Sequence, residues 1–222
     1  MSGESTEDRS AIAAADSDPF KQDWPTSAKF GVSAAHLHAL GAISLSYNRL
    51  EACLGILFAD LLRVDRELGD SFNHRMTTDN RLDALTTLVN QKLKGDHAEC
   101  TLYALKCFKI CSQNRNTLAH IVEYYLPKAT GELLIGSKKN SQKTRDMFFA
   151  LSVVQLRQVA DDILRTYDLL MALGLYRFRE WHEKYYPPGT PMNALDAAIE
   201  KAGPNRLPDR PPLPQVLKDI PI

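Results

Sequence analysis

Six consecutive residues, Arg115-Asn116-Thr117-Leu118-Ala119-His120, bring together a permanent cation, a carboxamide and an imidazole. An imidazole with an ordinary pKa of about 6.5 can take up or release a proton near neutral pH. The planar fork of a guanidinium matches the oxygens of a phosphate. These are the groups that metal-free cleavage of an RNA phosphodiester needs. A base takes the proton of the 2′-hydroxyl, an acid protonates the leaving 5′-oxygen, and a cation stabilises the phosphorane. On a helix Asn116 and His120 are four residues apart and share a face, so the amide can orient the imidazole. Arg115 and His120 are about 140° apart around the axis at 100° per residue, a separation that a site shared between two copies of the chain relaxes. The structural alternative is an Arg115 paired with a carboxylate such as Glu51 and a His120 capping carbonyls at a helix end.

Other patterns carry less. Arg177 to His182 repeats the spacing, but Phe178 stands where Asn116 supplies a polar group, and the match falls beside Trp181 near the end of the last long helix. Gly131 to Lys138 approaches a phosphate-binding loop, yet its lysine is one residue late and its interior is apolar and strand-forming. Cys100 and Cys107 are about 10.5 Å apart along a helix at 1.5 Å per residue, too far to share one zinc. With Cys53 and Cys111 they are expected as small core residues. No Glu-x-x-His occurs, which argues against a carboxylate-bridged di-iron bundle. His36 and His38, two residues apart, are expected on different helix faces and in solvent.

The Arg115-Asn116-x-x-x-His120 pattern resembles the R-N-x-x-x-H form of the R-x4-6-H signature of the HEPN superfamily, helical-bundle proteins many of which are metal-independent ribonucleases of toxin–antitoxin, antiviral and RNA-processing systems. The small apolar pair Leu118-Ala119 and the position late in the third long helix agree with it, as does an earlier long helix carrying Tyr47-Asn48-Arg49-Leu50-Glu51. The likeness spans roughly residues 33 to 185, with the specific motif confined to Arg115, Asn116 and His120. It implies a catalytic site of these three residues, composite sites in a homodimer, and an antitoxin protein as a possible partner. Some toxins of the family carry a tyrosine two residues after the histidine, where a partner enzyme modifies them. Here that position is Val122, with Tyr124 and Tyr125 nearby.

The elements that must position these residues are legible from periodicity. From Ala34 to about Val64, apolar residues recur at three- and four-residue steps (Leu37, Leu40, Ile43, Tyr47, Leu50, Leu54, Leu57), which predicts a long amphipathic helix. A broken segment around Gly69 follows. A second helix is expected from a cap at Asp79 to Gly95, and a third from Asp96 into the low 120s with Arg115 on its apolar stripe. Residues 124–127 and 132–135 read as a short β-hairpin inserted between helices. Ser152 and Gln155 form a capping box, with Leu151 and Leu156 as its hydrophobic staple, opening the last long helix. Gly174 is a candidate kink, and Pro187-Pro188-Gly189 is the expected end.

The flanks differ in composition. Residues 1–29 are polar, acidic and aperiodic and predict a disordered tail, while 187–222 predict a short helix from Asn193 followed by a solvated tail in which Pro204, Pro208, Pro211, Pro212 and Pro214 forbid regular structure. Lys and Arg balance Asp and Glu at 27 each, but Lys92 to Arg145 holds ten bases against four acids, so an anionic partner would meet the middle of the chain. No run approaches the roughly 20 apolar residues of a membrane span, and no export signal is legible. The expectation is therefore an all-α protein: an antiparallel four- to five-helix HEPN-like bundle over residues 30–186, cytoplasmic, with no cofactor, no metal and no membrane. Its expected activity is metal-independent endoribonuclease, with RNA as partner and a homodimer as the working form. The alternative is an inactive bundle of the same fold that binds a nucleotide or a protein.

Overall fold

Ser33 caps the first long helix: its Oγ accepts a hydrogen bond from the His36 amide and satisfies one of the donors that open a helix. The computed structural model describes residues 33–119, 123–125, 133–137, 147–185 and 207–217. Five helices dominate: α1 (Ala34–Leu62), α2 (Arg66–Arg75), α3 (Thr78–Lys92), α4 (Gly95–Ala119) and α5 (Val153–Tyr185). Between α4 and α5 lies an antiparallel sheet, β1 (Glu123–Tyr125), β2 (Leu133–Ser137) and β3 (Met147–Leu151), with β2 in the middle. Among the described residues no helix is long and apolar enough to cross a membrane.

The apolar stripe on α1 is the spine of the core. Ile43, Leu50, Leu54, Leu57 and Phe58 pack with Leu85 of α3, Phe108 of α4, and Leu156, Ile163 and Leu173 of α5, all at most 2% exposed. Each such side chain contributes about 1.5–3 kcal/mol relative to leaving it in water. The four cysteines are free and buried, as expected. Burial pushes the thiols of Cys53 and Cys107 up to about 11 and that of Cys111 to about 12, where the thiolate is disfavoured.

Several elements differ from the sequence reading. The segment around Gly69 is a helix, α2. Its apolar residues Leu68 and Phe72 are 43% and 39% exposed, so it has no buried stripe to reveal it. It is held instead by Asp65, whose carboxylate accepts from the Leu68 amide at 2.8 Å, and by close approach of its backbone to α1 at Gly55 and Gly69. Thr77, not Asp79, caps α3, its hydroxyl accepting from the Asn80 amide. That helix stops at Lys92, and Gly95, with φ +53°, opens α4. The hairpin is part of a three-stranded sheet, since Met147-Phe148-Phe149-Ala150-Leu151 pairs with β2. Residues 133–137 of the phosphate-loop look-alike are strand. His36 is buried, sharing a 2.6 Å hydrogen bond through Nδ1 with the Ser33 hydroxyl, whereas His38 is exposed as expected.

The Ser152 capping box is formed: the Gln155 amide donates to Ser152 Oγ at 3.2 Å and the Ser152 amide donates to Gln155 Oε1 at 2.8 Å. Its staple residues Leu151 and Leu156 are both buried, and α5 runs unbroken through Gly174. The proline-rich segment 207–217 has no regular structure, as expected, but one side of it is docked rather than solvated. It lies against α4 and α5 with Pro214 buried. The expected N-terminal tail, the Asn193 helix and the Pro187-Pro188-Gly189 stop lie outside the described residues.

Candidate functional site

The last two turns of α4 carry the candidate site. Ser112 and Arg115, three residues apart, share one face of the helix and meet Tyr47 of α1. Tyr47 is 2% exposed, and its hydroxyl donates to Ser112 Oγ at 3.0 Å. Its ring lies 6.0 Å from that of Phe108. The Arg115 guanidinium carbon sits 5.0 Å from the Tyr47 centroid, a cation–π distance. The phenol pKa is raised, chiefly by burial, against the lowering effects of the Ser112 hydrogen bond and the Arg115 charge. Tyr47 is thus a neutral platform under the guanidinium.

Asn116 is exposed, and its Oδ1 accepts from Arg115 Nη1 at 3.1 Å. The amide thus contacts the guanidinium directly. His120 itself lies outside the described residues, as does Val122. Arg115 is partly exposed, and among the described residues no carboxylate pairs with it. Glu51, the acid named as its structural alternative, bonds Arg81 of α3 at 2.9 Å. Arg81 is 6% exposed and also donates to the Met76 carbonyl at 3.2 Å, so this pair ties α1 to α3.

No family model, curated protein or solved structure matches this chain.

Lys106, Lys109, Gln113 and Asn116 are all exposed, at steps of three and four residues. They form one solvent-facing ribbon along α4, cationic at its near end and polar at its far end. Arg177, the arginine of the competing match, is 9% exposed and ion-paired with Asp60 of α1. It locks α5 onto α1.

Sequence reasoning missed Tyr47 as the support of Arg115 because a tyrosine on an apolar stripe reads as core, and nothing local points to a partner 68 residues away. It also missed Asn114 and Asp162, which hold the segment 207–217. The available signal was the presence of Leu207, Leu213 and Leu217 among the prolines, apolar residues with no role in a solvated tail.

Proposed function

We propose that this chain is a metal-independent endoribonuclease of HEPN type, an antiparallel helical bundle that works as a homodimer. The observation that carries the reading is the state of Arg115: a guanidinium backed by a buried neutral ring, steered by an amide, and without a carboxylate partner among the described residues. A structural arginine this close to a core is ordinarily neutralised, as Arg81 and Arg177 are. One without a carboxylate partner among the described residues can take an anion instead. In the proposed reaction Arg115 binds the scissile phosphate and stabilises the charge that grows on it. His120 acts as general acid or base. The substrate's own 2′-hydroxyl attacks, giving a 2′,3′-cyclic phosphate and a free 5′-hydroxyl. Roles in a toxin–antitoxin, antiviral or RNA-processing system, with an antitoxin as partner in the first, follow from the resemblance alone.

The test is digestion of end-labelled RNA by the purified chain with EDTA present. Cleavage that persists and leaves cyclic phosphate ends supports the proposal. An absence of cleavage across a broad RNA panel, or activity that tracks added metal, transfers the reading to an inactive module that binds a nucleotide or a protein. Two further results are expected. Light scattering at micromolar concentration should give a two-fold dimer joined through the α4 face that bears Arg115, because the 140° separation of Arg115 and His120 suits a site completed by a second copy. A strict monomer would refute the composite site. His182→Ala should leave cleavage within about twofold of wild type, since its companion Arg177 is committed to Asp60. Abolition of activity in a folded His182→Ala protein would show that the wrong arginine–histidine match had been chosen.

A further inference from the structure

The segment 207–217 meets α4 and α5 through its main chain. Tyr103 Oη donates to the Pro211 carbonyl at 2.6 Å, and Asn114 Nδ2 donates to the Gln215 carbonyl at 2.7 Å. The Leu217 amide donates back to Asn114 Oδ1 at 3.0 Å, so one carboxamide clamps the backbone at both of its polar ends. From the other wall, Asp162 Oδ2 accepts from the Gln215 amide at 3.3 Å while its Oδ1 accepts from Gln158 at 2.8 Å. Asn114 is 2% exposed and Asp162 6%. These are buried polar side chains of two helices committed to the backbone of a third segment, which is how a built peptide site differs from incidental contact.

The geometry fits an extended, proline-rich chain. Cys100 and Asn114, which touch Pro208 and Gln215, are about 21 Å apart along α4 at 1.5 Å per residue. Seven residues at about 3.1 Å each, the polyproline rise, cover about 22 Å. Pro208, Pro211, Pro212 and Pro214 have no amide hydrogen, so they bring no donor into the groove that needs a partner. The two donors that meet the clamp, Gln215 and Leu217, follow the last proline. Pro214 is buried and Leu207 and Leu217 pack on the core, while Leu213 and Val216 are 40% and 54% exposed. Arg210 adds an exposed pair with Glu99 and lies over the Tyr103 ring. Twenty-one residues, 186–206, separate α5 from this segment, enough chain for it to leave the groove without pulling on the helix.

We propose that the groove between α4 and α5 is a binding site for an extended proline-rich peptide of a partner protein, which residues 207–217 occupy in cis and from which that peptide displaces them. The recognised pattern is proline at the positions of Pro211 and Pro214, then free amides at the positions of Gln215 and Leu217, the latter residue apolar so that it packs as Leu217 does. Because the clamp reads main chain, any chain with that pattern fits. Asn114 directly precedes Arg115, so exchange in the groove would be felt at the candidate site, but the proposal does not depend on the chain being a ribonuclease.

The experiment uses the full-length chain and a fluorescein-labelled synthetic peptide of residues 205–218. Pro214→Asp with Leu217→Asp should disable the internal segment and open the groove. The labelled peptide should bind this opened chain saturably and at least about tenfold more tightly than wild type, where the internal copy competes at high effective concentration. Adding Asn114→Leu should weaken that binding about tenfold or more, because two backbone groups lose their partner. An opened chain that retains its helical circular dichroism and melts cooperatively yet binds no better than wild type overturns the proposal. So does peptide binding that ignores Asn114→Leu. Should the opened chain fail to fold, hydrogen exchange of the wild type decides. The Gln215 and Leu217 amides should exchange more slowly than in the free peptide and faster than the core of α4. Exchange as fast as the free peptide means that the groove is empty in solution, and exchange only with the core means that the segment cannot be displaced. Either result overturns the proposal. A dimer that is lost when the groove is opened would give the site to the segment of a second copy, which also overturns it.

Discussion

Arg115→Ala and His120→Ala are each expected to lower the RNA cleavage rate by about 10²–10⁴-fold, the usual contribution of a general acid/base or of a positioned charge-stabilising group. Neither change should unfold the protein. Arg115 is partly exposed and on the described surface makes only a stack on Tyr47 and an exposed hydrogen bond to Asn116, together worth about 1–2 kcal/mol. Arg115→Lys should also be poor, since a point charge does not reproduce the guanidinium fork. Asn116→Ala should cost less than either, because it removes only the steering of Arg115. The measurement is single-turnover cleavage of labelled RNA in EDTA, paired with thermal melting of each variant. DNA and 2′-O-methyl RNA should resist, because the nucleophile in the proposed reaction belongs to the substrate. Cleavage that survives both alanine substitutions in folded protein would remove these residues from the site.

Gly69→Val is expected to destabilise the fold by about 3 kcal/mol, the upper end of ordinary overpacking costs. A Cβ on Gly69 would stand 2.6 Å from the Ala59 Cβ, 2.7 Å from the Gly55 carbonyl oxygen and 2.9 Å from the Ala59 amide nitrogen. Two of those three neighbours are backbone inside α1, so the clash cannot be relieved by turning a side chain. It must push α2 away, straining the bond of the buried Asn73 to the Glu51 carbonyl, with Leu68 and Phe72 only partly covered to resist the shift. At about 2–4 °C per kcal/mol for a chain of this size, melting should fall by roughly 6–12 °C. Gly41→Ala is the control. It lies within α1 with nothing within 4 Å of the added carbon, and should be neutral or stabilising by up to about 1 kcal/mol. A Gly69→Val protein that melts like wild type would show that α1 and α2 are not packed as closely as described.

Where the chain's local pattern and its final environment agree, the sequence was sufficient. The three- and four-residue recurrence from Ala34 onward makes α1, because an amphipathic stripe that long has one low-energy way to bury itself. Ser152, Gln155, Leu151 and Leu156 specify the start of α5 through contacts no more than five residues apart. Buried free cysteines followed from their small, weakly polar side chains. Arg115 and Asn116 were expected late in a helix and lie in the last two turns of α4, whereas His120 lies outside the described residues.

What only tertiary structure decided are relations between distant segments. Helix α2 is polar over most of its surface and is fixed by two glycines on different helices, a steric fit that no periodicity reports. Glu51 was within reach of more than one arginine, and packing gave it to Arg81 and left Arg115 on Tyr47. The strand Met147–Leu151 exists because β2 had an unpaired edge to satisfy. The proline-rich segment 207–217 was legible as extended but not as docked. Prolines dictate the local backbone angles, whereas the groove that receives them is assembled by Tyr103, Asn114 and Asp162 from two helices that come together only when the core closes.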